Sequence, residues 1–275
     1  MIEDKRNAMI IGAMKAGTTS LFTQLSRHPD ISPCLVKEPE YFTTKHRKTL
    51  DVSDYSELWS CDGRRLRLEA SAGYTKYPLE QCVPERIKDY GLDPYFIYVL
   101  RDPIARIQSH INYMRNSPDW DLRRGFGQLI ATSSYALQVE RFERVFGGGS
   151  VLLLSFEEFV LNPAGVLKSC EEFLSLEAFE WPVSVSNENN GRYSSKMSRR
   201  ISRLPLARLR RALPKGLKQY SKKTLARLSS SDKYELSDAD VSHIRESLTA
   251  DVQMLRSRYG FDTSQWSRWN SCEDG

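Results

Sequence analysis

Ala8–Ala13 (AMIIGA) is a short apolar run without alternation, and Lys15-Ala-Gly-Thr-Thr-Ser20 follows it almost at once. A run of that length and type predicts a strand buried on both faces. Beyond the loop, Leu21 and Leu25 stand at i and i+4, on one side of a helix. That helix is expected to stop near His28-Pro29-Asp30, because the residue before a proline disfavours helical angles. A buried strand, a tight loop and a helix in this order restrict the chain to a small set of folds. The strand needs cover on both faces, which an α/β layer arrangement provides.

The alternation continues along the chain. Ile31–Leu35 reads as a short strand, Arg65–Ser71 (RLRLEAS) alternates as a strand does, and Pro84–Tyr90 has helical character. Tyr95–Leu100 (YFIYVL) is the clearest strand, closed by Arg101-Asp102-Pro103. Pro103 suits the first turn of a helix, where no N–H is needed, and Ile104–Met114 follows as that helix. Ser133–Phe146 predicts a helix ended by Gly147-Gly-Gly149, Val151–Phe156 a strand, and Ala164–Leu174 a further helix. Strands alternating with helices imply βαβ units, hence an α/β fold with a mainly parallel central sheet and helices on both faces. Ligands of such sheets bind outside the carboxyl ends of the strands. The loops after Gly12 and after Leu100 are the two places of that kind that matter here.

The C-terminal part is expected to be helical. Asp238–Tyr259 sets Val241, Ile244, Leu248, Val252, Leu255 and Tyr259 on one face, with Ser237 able to cap its start and Gly260 its end. It reads as a packing helix without chemistry on it. From Asn189 to Ser231 there are thirteen Lys and Arg and no Asp or Glu; the remaining 27 basic and 35 acidic residues leave the rest of the chain at −8. Leu204, Leu206, Leu209, Leu213, Leu217 and Leu225 are interleaved with those charges, so the segment reads as basic amphipathic helices rather than a linker. A basic segment on a mildly acidic globule points to an anionic ligand, partner or surface. The expected organisation is a single domain over 1–275, with the basic helical segment 189–231 and the packing helix 238–259 inside it.

Several classes are excluded. No apolar run approaches the ~18 residues of a membrane span, and Met1–Arg6 offers no secretory apolar core. A cytoplasmic protein is expected. Cys34, Cys61, Cys82, Cys170 and Cys272 lie far apart, form no CxxC pair and are odd in number, which suits reduced thiols. His28, His46, His110 and His243 show no HExxH or paired Cys/His spacing, so no metal site is expected.

The loop Gly12–Ser20 has the makings of an anion site. Backbone N–H groups and the positive dipole end of the following helix meet there. Gly17 lets the backbone come close, Thr18, Thr19 and Ser20 add hydroxyl donors, and Lys15 adds a full charge. An ATP-binding P-loop would place a lysine and a hydroxyl directly after its second glycine. Here Thr18 follows Gly17 and the lysine stands two positions before it, at the entry of the loop. A charge there would sit beside the scissile bond of a terminal nucleotide phosphate. An ATP-dependent small-molecule kinase and a nucleic-acid binder acting through 189–231 remain as alternatives, although no Lys-Ser/Thr follows Gly17 and no nucleic-acid motif is present.

Three stretches, IIGAMKAGTTSLFTQLSRHPDI from Ile10, KEPEYF at Lys37–Phe42 and VLRDPIARIQSH at Val99–His110, resemble the PAPS-dependent sulfotransferases (PAPS is 3′-phosphoadenosine 5′-phosphosulfate). The likeness is to the type that includes heparan sulfate sulfotransferases and many soluble bacterial ones. It implies a P-loop-like sulfotransferase fold, PAPS as donor, PAP as product and no metal. It further implies that Lys15, Ala16, Gly17, Thr18, Thr19 and Ser20 hold the 5′-phosphate, with Lys15 at the bridging oxygen. Arg101 and Ser109 would hold the 3′-phosphate, and Gly191 and Arg192 would belong to a late basic donor loop. Glu38 matches the general base, with Glu40 its rival and His110 a weaker candidate. Ser71 and Tyr74 would line the acceptor pocket. Heparan sulfate members carry a lysine after the glutamate of the next strand, and the matching position here is Ala70, so a polysulfated glycan acceptor is disfavoured. The expected acceptor is a small molecule, lipid or glycan, with no nucleic acid and no membrane span, in a bacterial enzyme of natural-product type.

Overall fold

An apolar strand without alternation has to lie between neighbours. The computed structural model of the chain places β1 (Arg6–Gly12) in the middle of a five-stranded sheet. The structure describes residues 6–36, 38–44, 54–60, 63–115, 121–181 and 233–271. β2 (Ile31–Pro33), β3 (Leu66–Ala70), β4 (Tyr95–Leu100) and β5 (Val151–Ser155) complete the sheet in the order β2-β3-β1-β4-β5, every pair parallel. Met9, Ile10, Ile11, Phe96, Ile97 and Tyr98 are wholly buried in its two central strands. The chain therefore has the α/β fold with a parallel central sheet that the alternation implied.

The strand order changes direction at β1. β2 and β3 lie to one side of it, β4 and β5 to the other. Such a reversal opens a crevice between the carboxyl ends of the two strands that flank it, here β1 and β4. The β1–β4 register shifts between Ile10 and Gly12, and the Ala13 N–H donates to the Val99 carbonyl at 2.8 Å. Gly12 has φ 150°, and a Cβ there would collide with the Thr75 hydroxyl and press on the Tyr98 ring, so the strand end has no room for a side chain.

Among the described residues the helices are α1 (Thr18–Leu25), α2 (Val83–Asp89), α3 (Pro103–Met114), α4 (Leu122–Ala131), α5 (Tyr135–Phe146), α6 (Phe156–Leu161), α7 (Pro163–Leu174), α8 (Asp238–Tyr259) and α9 (Ser267–Asn270), with a 3₁₀ turn at Tyr55–Leu58. α4, α6 and α9 had no counterpart in the sequence reading. α4 carries Gly125 and Gly127, which lower helix propensity. α6 begins on Phe156, read as the last residue of a strand; the Ser155 hydroxyl accepts the Glu158 N–H and starts the helix there. α1 ends at Leu25, sooner than the proline predicted.

Buried carboxylates join distant parts of the chain. Asp102 caps α3: its Oδ1 accepts the N–H groups of Ile104 and Ala105 at 2.9 and 3.1 Å. Its Oδ2 accepts those of Arg268 and Trp269 at 2.8 and 3.0 Å, which fixes the start of α9 against the same point. Asp251 of α8 accepts the Ala136 and Leu137 N–H groups, both at 3.0 Å, and so caps α5, whose own Ser134 makes no side-chain cap. α8 itself starts with a Ser237–Asp240 capping box, ends at Gly260 with φ 61°, and buries Ile244, Leu248, Val252 and Leu255.

The chain divides into two compact units, residues 1–181 with 235–275, and residues 182–234. The basic segment expected at 189–231 lies outside the described residues, as do Gly191 and Arg192. Among the described residues no helix is long and apolar enough to cross a membrane, no cluster of His, Cys, Asp and Glu could hold a metal, and Cys34, Cys82 and Cys170 are free thiols.

Asp102→Ala leaves two pairs of helix-terminal N–H groups without their acceptor. At ~1 kcal/mol per lost cap, a destabilisation of about 2–3 kcal/mol is expected, read as a lower urea midpoint. Asp102→Asn, which keeps one oxygen, should lose about half of that.

Candidate active site

The loop between β1 and α1 is shaped by two residues with left-handed backbone. Lys15 has φ 73° and Gly17 φ 82°. Gly17 is the N-cap of α1 and provides no side chain to cap it, and the first turn contains no acidic residue. The first N–H groups of a helix have no partner within it, so this turn is open to an anion. A Cβ on Gly17 would stand 3.0 Å from the Phe156 ring, which keeps the position for glycine on both conformational and steric grounds. Ala16 and Thr18 are buried, Lys15 is half-buried, and Thr19 and Ser20 are exposed at the mouth. The Lys15 Nζ lies 4.5 Å from the centre of the Tyr113 ring, a cation–π contact that holds the ammonium at the entry of the loop.

The second sequence motif comes to the same place. The half-buried Arg101, just beyond β4, donates from Nη1 to the Lys15 carbonyl at 2.9 Å and lies 4.6 Å over the Phe156 ring. Phe156 thus packs beneath both Gly17 and Arg101. Burial lowers the Arg101 pKa below the ordinary guanidinium value, with the Glu157 carboxylate the main opposing influence. Asp102 is spent on four N–H groups, so it is a capping residue rather than the carboxylate partner of Arg101. Ser109 is half-buried, two turns along α3.

Arg106, which the sequence reading passed over, is almost fully buried. It donates to the Met14 carbonyl at 3.4 Å and the Leu129 carbonyl at 2.7 Å, and it also holds the Ser133 hydroxyl. Its position three residues after Pro103 and four before His110 puts it on the buried side of α3, and that spacing was a readable signal. His110 is buried beside it. Burial, together with the charges of Arg106, Lys76 and Lys15, pushes its pKa down to about 3. Such an imidazole is a poor proton acceptor at neutral pH.

Glu38 and its rival Glu40 do not lie on a strand. They flank Pro39 in a turn, with φ 52° and 46°. Glu38 is exposed and lines a small open pocket with Thr18, Thr19, Phe22, Val36 and Ala70. Glu40 is buried, its carboxylate packed against Gly73 and 3.9 Å from the Lys76 Nζ. Ser71 and Tyr74 are wholly buried, and the pocket wall at that point is Ala70. Their hydroxyls lie beside Glu69, a fully buried carboxylate that the alternation of β3 hid. Tyr55 donates to Glu69 Oε1 at 3.0 Å and Ser71 to Oε2 at 3.2 Å. Burial raises the Glu69 pKa to about 7, opposed by the hydroxyls of Tyr74, Tyr55 and Ser71.

A parallel sheet with an uncapped, cation-flanked helix start at its switch point is the place where an α/β fold offers room to an anionic group. The model of the sulfotransferase domain matches residues 5–200, and the chain belongs to that family, whose members are transferases. It is 31% identical over 187 residues to heparan sulfate glucosamine 3-O-sulfotransferase 3A1 of Mus musculus, covering 62% of this chain and 46% of that enzyme. Bifunctional heparan sulfate N-deacetylase/N-sulfotransferase 2 of Homo sapiens is 26% identical over 197 residues, 62% of this chain and 22% of that enzyme. The chain thus matches about half or less of the length of these curated relatives. A solved sulfotransferase from Alicyclobacillus acidocaldarius shares the fold with a TM-score of 0.67 and 22% identity, over 95% of this chain and 98% of that one.

The Glu69 pKa makes stability depend on pH. Its ordinary value is 4.5 and its folded value about 7. Between these the unfolded chain has released the proton that the folded chain keeps, so stability falls as pH rises through the window and levels off above it. Glu69→Gln mimics the protonated acid and removes this slope. Relative to the parent protein, the variant should gain about 3 kcal/mol between pH 4.5 and pH 8, measured by urea denaturation at each pH.

Proposed function

We propose that this chain transfers the sulfuryl group of PAPS to a hydroxyl or amine of a small-molecule, lipid or glycan acceptor by in-line displacement, releasing PAP. The observation that carries the reading is the uncapped first turn of α1, with Lys15 at its mouth and Arg101 bonded to the same loop. The family generally draws on PAPS as donor. The residues present suit it: Gly17 leaves the backbone open to a phosphate, and a half-buried guanidinium stands at the neighbouring strand end. When bound, the donor supplies an activated sulfuryl group and a nucleotide leaving group.

In this reading the loop Lys15–Ser20 binds the 5′-phosphate, through the N–H groups of Gly17, Thr18 and Thr19 and the hydroxyls of Thr18, Thr19 and Ser20, while Ala16 closes the loop on the Ala13 carbonyl. The Lys15 ammonium opposes the charge that grows on the leaving oxygen, which is the largest help a fixed cation can give. Arg101 and Ser109 bind the 3′-phosphate, Arg101 through two parallel N–H donors. The Glu38 carboxylate, on the far wall of the pocket that contains Thr18 and Thr19, takes the acceptor proton as the nucleophile attacks. The apolar lining from Phe22, Val36 and Ala70 suits an acceptor without many negative charges.

PAP should raise the melting temperature where ATP with Mg²⁺ does not; a hundredfold excess over the dissociation constant corresponds to about 2.7 kcal/mol. A shift with ATP and Mg²⁺ alone would instead favour the kinase. A metabolite extract incubated with labelled PAPS identifies the acceptor. With that acceptor, Lys15→Ala should lower kcat by ~10²-fold or more. Glu38→Gln should cost ~10²–10⁴-fold, with the fold intact by circular dichroism. Arg101→Ala should act mainly on the KM for PAPS, and an unchanged KM removes it from the site.

A further inference from the structure

The turn that carries Glu38 is held from below by residues that do not line the pocket. Glu38 and Glu40 both have left-handed backbone without being glycine, a conformation that persists only where surrounding bonds impose it. The Glu40 N–H donates to the Ser71 hydroxyl at 3.0 Å, and that hydroxyl donates in turn to Glu69 Oε2 at 3.2 Å, both in the buried interior. Tyr55 fixes the other Glu69 oxygen at 3.0 Å. On the far side of the turn, the Thr43 N–H and hydroxyl both donate to the Glu40 carbonyl, at 2.9 and 2.8 Å. The Ser71 backbone is itself fixed, since its N–H donates to the Ile10 carbonyl of β1 at 3.0 Å.

We propose that Ser71 and Glu69 are positioning residues for Glu38: the chain Glu69–Ser71–Glu40 N–H ties the Glu38-Pro39-Glu40 turn to the strand that carries the donor loop. The peptide that Ser71 grips is the one between Pro39 and Glu40, and the proline ring leaves little freedom between that peptide and Glu38. The distance from Glu38 to the Thr18–Thr19 wall is therefore set by a buried hydroxyl on β1's neighbour, not by the exposed loop itself. Glu69 orients the Ser71 hydroxyl so that its lone pair faces the Glu40 N–H.

The inference rests on Glu38 as the base, and the experiment separates the two claims. Amide exchange on the PAP-bound protein needs no acceptor. Ser71→Ala should speed exchange of the Glu40 amide at least ~10-fold while residues 13–21 keep their protection and PAP its affinity. With the acceptor found by the labelled-PAPS screen, Ser71→Ala should lower kcat ~10–100-fold, the scale of a misplaced reacting group. In a Glu38→Gln background the same change should cost less than about twofold, because nothing is left to position. Glu69→Leu, which removes the acceptor of the Ser71 hydroxyl, should lower kcat as Ser71→Ala does and lose that effect in the Glu38→Gln background. Where Ser71→Ala does not fold, Ser71→Cys keeps the volume with a weaker bond and should give a smaller loss with the same dependence on Glu38.

Unchanged Glu40 exchange, or an equal loss in both backgrounds, overturns the positioning role and leaves the base assignment standing. Full activity of Glu38→Gln overturns both.

Discussion

The carbonyl and N–H of one trans peptide point in opposite directions, and the site is organised around this constraint. Two arginines, Arg101 just after β4 and Arg106 in α3, take carbonyls of the first loop: Arg101 that of Lys15, Arg106 that of Met14. Gripping the Met14 carbonyl turns the Lys15 N–H away from Arg106. The Ala16 N–H is used internally, on the Ala13 carbonyl at 3.1 Å. What remains is an uncapped helix start with no competing carboxylate in its first turn. Without the arginines the loop would present a mixture of carbonyls and amides, and its preference for an anion would be lost.

The β4–α3 connection anchors the C-terminal part of the chain. Asp102 stands next to Arg101, yet its charge goes to four N–H groups from α3 and α9. The Tyr135 hydroxyl donates to the Arg101 carbonyl at 2.8 Å, and Asp251 caps the helix that Tyr135 begins. Tyr135 therefore holds the Arg101 carbonyl, and the N–H groups of Arg268 and Trp269, more than 160 positions downstream, hold the neighbouring Asp102 carboxylate. The Arg101 guanidinium is left with a carbonyl, an aromatic face and the field of Glu157. The carboxylates stiffen the frame around the cation without neutralising it directly.

The two sides of the pocket differ in charge. Lys15, Arg101 and Arg106 meet around the donor loop, whereas Glu38, Glu40 and Glu69 lie along the opposite wall and behind it. Lys76 stands between them, close to the Glu40 carboxylate and felt by His110. In the proposed reaction a leaving anion and an acceptor that must lose a proton have opposite needs, and this polarity suits both. Burying Glu69 is costly, and its raised pKa shows the cost. In return, a neutral or ionised acid at that point can orient the Ser71 hydroxyl in either state, because the carboxyl oxygens accept in both.

Local features of the sequence settled much of this. An unalternating apolar run followed by Lys15-Ala-Gly-Thr-Thr-Ser20 dictates a buried strand, a tight loop and an open helix start, since each depends on short-range sterics and hydrogen bonding. Tyr95–Leu100 and the proline at the start of α3 were legible for the same reason. The alternation of strands and helices carried the parallel sheet. Other features were not legible, because they depend on which distant groups meet. Glu69 looks like any polar residue on an alternating strand until Tyr55, Ser71 and Tyr74 surround it. Nothing in Arg101-Asp102-Pro103 tells that the Asp102 carboxylate also takes the N–H groups of α9, more than 160 positions on. Glu38 and Glu40 look equivalent in KEPEYF, and only the turn around Pro39 exposes one and buries the other. Short-range chemistry set the elements and the anion loop; the strand order, which no local energy encodes, decided which charges face the ligand and which are spent holding the frame.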